Sequence, residues 1–375
     1  MLSANRRYNV HSIPVAAVVL ALFVFPSTVW SGYTYQLFDV PGATQTTIYD
    51  TNNAGALVGL YSTGAGYSGY LYSGGSITTL LVPGSYASFP YGINERGDVV
   101  GQQLIDAPGG GNWWRPFVRY ANGVYATLPE LPVGGVTFMS GAGINDYGDV
   151  VGVFFATGDT DGAGDGYVYH DGTYRIIPNV WPEDIRSDGV MAGTLPSYFG
   201  AVLTSLADLA AFRVPNSSTQ TTAYSINVYG DVAGTFFAPD EQGYIRYSDS
   251  SFEVVNVPNQ TRTLALGLND LGVIAGTYYD DHATYLRNRG FLAIPDGPRP
   301  SVPEPTTLAL LGFGLAGLGF SRAYTNGSST AVHDSPNSPD RREPRQVSKA
   351  RPVRPLQCLG RSSASAICLS PGFFS

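Results

Sequence analysis

Three features of the sequence predict an all-β fold, a six-bladed β-propeller of four-stranded repeats closed by its N-terminal strand. A motif of the form Asn-x-x-Gly-Asp-Val-Val-Gly recurs at nearly constant spacing. Each copy is followed by a second hairpin pattern. One strand-like segment stands alone ahead of the first repeat, while the last repeat falls one strand short.

The motif reads Asn94-Glu95-Arg96-Gly97-Asp98-Val99-Val100-Gly101 and recurs from Asn52, Asn145, Asn227 and Asn269, with a worn copy from Arg186 to Gly193. Measured between first glycines (Gly55, Gly97, Gly148, Gly189, Gly230, Gly272) the steps are 42, 51, 41, 41 and 42 residues. This spacing marks a structural repeat with a single insertion, assigned to the glycine-rich stretch between Gln102 and Trp114. The chemistry is that of a turn. Asn ends one strand, two variable residues turn the corner, and Gly takes a positive-φ position that a Cβ would penalise. A type I turn with a glycine bulge fits this pattern, the Asn side chain bonding backbone groups of its own turn. These residues therefore read as structural. The second glycine, inside the outgoing strand, marks close approach of neighbouring backbone.

The second hairpin is seen in Gly69-Tyr70-Leu71-Tyr72, which turns through Ser73-Gly74-Gly75 into Ser76–Pro83, and again in Gly166–Tyr169 and Gly243–Tyr247. Each repeat thus offers four short strands. Residues 201–211 are compatible with a helix by composition but are assigned to a strand pair, because the flanking repeats require one. The segment Tyr33–Gly42 matches the fourth strand of later repeats, and the last repeat stops after its third strand near Pro295. Units of about 40 residues with four strands suit propeller blades. A displaced terminal strand closes the ring and hides its edges.

Composition agrees. Only 13% of residues are charged, 13% are aromatic, and there are 46 Gly and 26 Pro, which suits a turn-rich β protein. The formal charge is −8 overall, but residues 1–31 and 322–375 are basic, leaving the body strongly acidic. An acidic body excludes nucleic acid as partner. The only lysine is Lys349 and the cysteines are Cys358 and Cys368, so the repeats hold no lysine nucleophile, disulfide or thiolate metal site.

Residues 1–31 have the parts of a secretory signal: Arg6 and Arg7, an apolar run from Ile13 to Phe25, then small residues. Residues 32–297 form the repeat domain. Beyond it, Val302-Pro303-Glu304-Pro305 precedes a glycine-rich apolar run, Leu308–Phe320, and Arg322. This segment resembles the PEP-CTERM sorting signal of Gram-negative bacterial surface proteins, and the repeats resemble the HAF-type extracellular repeats found in such proteins. The resemblance implies export across the inner membrane, brief anchoring by a short transmembrane helix within 298–323, processing by an exosortase-type enzyme near Val302–Pro305, and delivery to the cell surface or extracellular matrix. Residues 324–375 read as a disordered basic tail of the kind that a frameshift or readthrough adds.

Several constellations bear on chemistry. Gly312-Phe313-Gly314-Leu315-Ala316-Gly317 fits a dinucleotide-loop pattern but lacks the strand, helix and acidic residue that such a site needs. Asp159, Asp161 and Asp165 alternate in a glycine-rich loop and are the candidate Ca²⁺ ligands; no other cofactor is expected. Asp280-Asp281-His282 and Glu183-Asp184 are the candidate acid/base groups. Trp113, Trp114, Tyr67, Tyr70, Tyr278 and Tyr279 are candidates for a sugar-stacking surface. Together these predict a non-enzymatic structural or carbohydrate-binding module associated with extracellular polysaccharide or biofilm. The alternative is a propeller glycosidase or polysaccharide lyase using channel carboxylates.

Overall fold

The computed structural model describes residues 32–157, 164–205, 208–280 and 287–297. The expected signal peptide, sorting segment, short membrane helix and basic tail lie outside them. The described residues form six four-stranded antiparallel sheets arranged as the blades of a propeller. Blade 1 holds β2 (Gln45–Thr51), β3 (Leu57–Ser62), β4 (Tyr67–Ser73) and β5 (Ser76–Leu80), and blade 2 holds β6 (Ala87–Ile93), β7 (Val99–Asp106), β8 (Asn112–Arg119) and β9 (Tyr125–Thr127). Blade 3 holds β10 (Val136–Ile144), β11 (Val150–Ala156), β12 (Asp165–His170) and β13 (Thr173–Ile177), and blade 4 holds β14 (Trp181–Ile185), β15 (Met191–Thr194), β16 (Gly200–Ser205) and β17 (Asp208–Phe212). Blade 5 holds β18 (Thr221–Ile226), β19 (Val232–Phe237), β20 (Glu241–Arg246) and β21 (Phe252–Val255). Blade 6 is built from β22 (Thr263–Leu268), β23 (Ile274–Tyr279) and β24 (Asn288–Pro295), completed by β1 (Tyr33–Phe38).

Closure follows the expected arithmetic. β1 runs antiparallel to β24 with Tyr33 opposite Pro295 and Phe38 opposite Gly290. The segment 200–212 is a strand pair, as the repeat required. The extra length of the second repeat is not confined to one loop. β7 and β8 are each eight residues long, β10 is nine, and five residues (120–124) join β8 to β9 where two (74–75) join β4 to β5.

Five of the six blades are locked by one device repeated around the ring. The second motif glycine lies directly opposite an aromatic residue on the third strand: Gly59 faces Tyr70, Gly101 faces Phe117, Gly152 faces Tyr167, Gly234 faces Tyr244 and Gly276 faces Phe291. All five aromatic residues are fully buried. At Gly152 a Cβ would fall inside the envelope of the Ser140 carbonyl oxygen and 2.9 Å from the Tyr167 hydroxyl. The missing side chain lets the ring cross the strand, and the Tyr167, Tyr70 and Tyr244 hydroxyls donate to the carbonyls of Ser140, Thr47 and Thr222 at 2.9, 3.2 and 3.1 Å. Burying one such ring contributes about 1.5–3 kcal/mol before packing gains. In worn blade 4 the same position is Ala201, opposite Gly193.

Blades are stitched to one another by hydroxyls. The backbone amides of Val40, Val82, Val214 and Val257, each just before a proline or asparagine turn, donate to the side chains of Thr46, Ser88, Thr221 and Thr263 on the next innermost strand at 2.9–3.1 Å. Each buried amide that a sheet edge would leave unpaired is thereby satisfied.

Candidate functional site

The innermost strands β2, β6, β10, β14, β18 and β22 surround the axis, and each ends in a motif turn. The six first glycines, Gly55, Gly97, Gly148, Gly189, Gly230 and Gly272, have φ between 73° and 89°. In each intact copy the glycine amide donates to the Asn carbonyl three residues back, at 3.0–3.1 Å. The Asn oxygen accepts the amide four residues on, as in Asn94 to Asp98 N at 2.8 Å and Asn269 to Val273 N at 2.9 Å. The Asn amide group does something the sequence did not announce: it reaches the neighbouring blade. Asn269 Nδ2 donates to Asn52 O (3.1 Å), Asn52 to Asn94 O (3.1 Å), Asn94 to Asn145 O (2.9 Å) and Asn145 to Arg186 O (3.2 Å).

A second circle runs beside it. The Asn53 amide is held by Glu95, the Glu95 amide by Asp146 Oδ1, the Val228 amide by Asp270 Oδ1 and the Asp270 amide by Asn53 Oδ1, at 2.9–3.0 Å. Each of these four turn amides meets a carboxylate or amide oxygen of the next blade. Glu95 titrates above its ordinary range, chiefly through burial and then through Asp270 and Asp146, with the Asn53 amide opposing. Glu95, Asp146, Val228 and Asp270 border a cavity of about 80 Å³ at the turn end of the channel, which Asp50 and Asp184 also line.

Asp50 and Asp184 stand two residues before the Asn position on blades 1 and 4, half the ring apart. Asp50 accepts from Thr51 N (2.8 Å) and from Ile93 N of the next blade (2.9 Å). Asp184 accepts from Ile185 N (2.8 Å), Ser225 Oγ (2.8 Å) and Ile226 N (2.9 Å). Burial pushes both carboxyls above the ordinary range, Asp184 adding to the effect at Asp50 and Asp270 to that at Asp184. Elsewhere the strands approach so closely that only glycine fits: a Cβ on Gly143 would lie 2.6 Å from Asp184 Cα, and one on Gly267 2.6 Å from Asp50 Cα.

One residue earlier lies the bulge that every innermost strand carries. The column there reads Tyr49, Tyr91, Ala142, Glu183, Tyr224 and Leu266. Tyr49 and Tyr91 meet edge to face, 4.9 Å between centroids. Gln102 Nε2 donates to the Tyr91 hydroxyl at 2.8 Å. Glu183 is surrounded by protein yet partly open to the channel; burial, and secondarily Asp184, push its carboxyl up to about 7. Burial raises all three tyrosines, and Glu183 raises Tyr91 and Tyr224 further.

Residues 301–323 match the PEP-CTERM protein-sorting motif. That segment contains Val302, Pro303, Glu304, Pro305 and Arg322, and the motif implies export, exosortase processing and membrane-associated sorting to the cell surface. No curated protein matches the chain. Among solved structures it is similar to a chain of a nidogen/laminin complex, at 14% identity over 62% of this chain and 86% of that one with a TM-score of 0.41. It is also similar to a triple mutant of AofleA from Arthrobotrys oligospora, at 10% identity over 71% and 91% with a TM-score of 0.39. A thermostable family-43 glycoside hydrolase is similar at 10% identity over 72% and 99%, with a TM-score of 0.29.

The other expected residues fall as follows. Asp159, Asp161, Asp281 and His282 lie outside the described residues; Asp165 Oδ1 accepts the Asn179 amide at 2.9 Å. Asp280 lies 3.7 Å from Arg289. His170 contacts Asp149, whose hydrogen bond holds the imidazole pKa up. Tyr70 and Tyr278 are 0% and 4% exposed and cannot stack on a sugar, because both rings are packed in the core. Trp113, Trp114, Tyr67 and Tyr279 remain half-buried; Arg115 lies 4.7 Å over Trp113, and Trp114 packs 5.1 Å from Phe89. Sequence reasoning missed Tyr49, Tyr91, Tyr224 and Asp50. Aligning the six motif copies on their Asn would have exposed the column three residues upstream.

Proposed function

We propose that this protein is a structural or carbohydrate-binding module of the cell surface or extracellular matrix, delivered there by exosortase and associated with extracellular polysaccharide. The observation that carries this reading is the sorting motif at residues 301–323 behind a closed propeller. Trp113, Trp114, Tyr67 and Tyr279 keep part of their surface open, although Arg115, Phe89 and Arg262 already lie against Trp113, Trp114 and Tyr279. The commitment of Asp50 and Asp184 to backbone amides also supports it, since a carboxylate already satisfied by two or three donors is a poor acid or base. Export with brief anchoring is tested by intact mass of the envelope-associated protein. A C-terminus near residue 305 supports processing, and a mature chain that still carries Cys358 and Cys368 refutes it. A glycan array read for binding and cleavage tests the module itself.

A glycosidase or lyase is the second reading, favoured by one observation. Burial and the neighbouring Asp184 push the Glu183 carboxyl up to about 7, the range a general acid requires. Glycan cleavage that disappears in Glu183→Gln would establish it.

A further inference from the structure

Four channel side chains take no part in the turn network or in the backbone staples. Tyr49, Tyr91, Glu183 and Tyr224 occupy one repeat position, the bulge of β2, β6, β14 and β18, so the fold brings them to the axis together. β2 and β6 belong to adjacent blades, as do β14 and β18 across the ring, and the Tyr49 and Tyr91 rings meet 4.9 Å apart, so the shared bulge position turns these side chains toward one another. All four are partly open. Tyr49 also feels Tyr67 and Tyr279, which stand where the innermost strands begin, at the end of the channel away from the turns. Among the described residues the Glu183 carboxylate has no hydrogen bond or ion pair, in contrast to Asp50 and Asp184.

We propose that this collar binds an organic ammonium group, Glu183 serving as its counter-ion and the rings of Tyr49, Tyr91 and Tyr224 flanking it. Aromatic faces attract cations through their quadrupole, and a carboxylate among them adds charge complementarity. Low-dielectric walls focus the field of an ionised Glu183 along the channel. Arg262, which lies 4.1 Å over Tyr279, pairs with Glu241, and Arg186, three residues after Glu183, pairs with Asp188. Anions are repelled here, and a neutral sugar would need the rings but not Glu183. The proposal rests on the polysaccharide-binding reading and narrows it to polymers bearing free amines; a choline-type headgroup offers the same chemistry from a different source.

The test is calorimetric titration of the full chain at about pH 7, where glucosamine amines still carry protons and part of Glu183 is ionised, with glucosamine oligomers, their N-acetylated counterparts and the permanently charged choline. The expected result is binding of the free amine, little binding of the acetylated form, and roughly tenfold or greater loss of affinity in Glu183→Gln. Thermal melts of the variant separate lost binding from lost fold, and Tyr224→Ala gives an independent reduction through the ring. Choline binding without glucosamine binding upholds the site and assigns a headgroup. Equal affinity for acetylated and free amines, undiminished binding by a folded Glu183→Gln, or no amine binding at about 10 mM overturns the proposal. Neutral polysaccharide binding retained in Glu183→Gln leaves the general module reading standing while the ammonium site falls.

Discussion

Replacing Glu183 with glutamine should stabilise the protein above neutral pH and leave it unchanged in acid. The folded carboxyl titrates at about 7 against an ordinary 4.5, because the strands around it withdraw solvent and Asp184 adds like charge. A folded pKa above the unfolded one means that the folded state holds a proton the unfolded state has released. Stability therefore declines as pH rises from about 4.5 and has fallen fully above about 7. The displacement corresponds to about 3 kcal/mol as a ceiling, and access to channel water reduces it to about 1–2 kcal/mol. Glutamine keeps the shape and removes the charge, which also relieves Asp184 on the same strand. Tyr91 and Tyr224, facing it from β6 and β18, stay neutral over this range because burial raises them. For a domain of this size each kcal/mol moves Tm by roughly 2–4 °C, so the variant should melt about 2–8 °C higher near pH 8 and together with the parent near pH 4.5. Paired calorimetric melts across that range are the assay. Parallel curves, or a variant less stable near pH 8, would refute the reasoning.

Three further outcomes are expected. Gly148→Val should lower stability by roughly 1–3 kcal/mol through backbone strain alone, since φ is +89° and the nearest atom to an added Cβ is a flexible Arg96 nitrogen at 3.5 Å; Gly97→Asn should be milder, and equal melting points would count against the assigned turn. Tyr70→Phe should lose about 1 kcal/mol with its bond to the Thr47 carbonyl while keeping the fold, as Phe117 and Phe291 do at the same position; a drop above about 3 kcal/mol in denaturant titration would mean the hydroxyl has another role. Removing Tyr33–Pro41 should abolish the cooperative melt or cause aggregation by exposing β24 as an edge, and a truncated chain that melts like the parent would contradict ring closure.

The parts of the fold legible in the sequence were those set by local backbone chemistry. The Asn-x-x-Gly turns demand a positive φ that few residues tolerate, so their spacing counted the blades. The stray strand at Tyr33 followed from that count. The channel was less legible for a physical reason. The bulge at Tyr49, Tyr91, Glu183 and Tyr224 breaks the simple alternation of faces, so period-two reading cannot tell which residue looks inward. The same blind spot put Tyr70 and Tyr278 among candidate sugar contacts. In a stack of blades both faces of a sheet are covered: Tyr70 fills the space opposite Gly59, and Tyr278 packs into the core between blades 5 and 6. Glu183 was noticed in the sequence as an acid/base group, but its collar needed four blades brought around one axis.

The closing pair β1 and β24 also gives the molecule an orientation. Pro295 ends β24 beside the turn glycine Gly272, 3.3 Å from where its Cβ would be, and Asp296 bonds back to Gly32 and Thr34 at 3.2 and 2.7 Å. The chain thus enters and leaves the ring at the same end, that of the Asn turns. Any tether attached after residue 297 pulls on that end. A short tether there would place the turn circle nearer the point of attachment than the opposite mouth of the channel, so chain routing would bias which mouth is presented before any partner arrives.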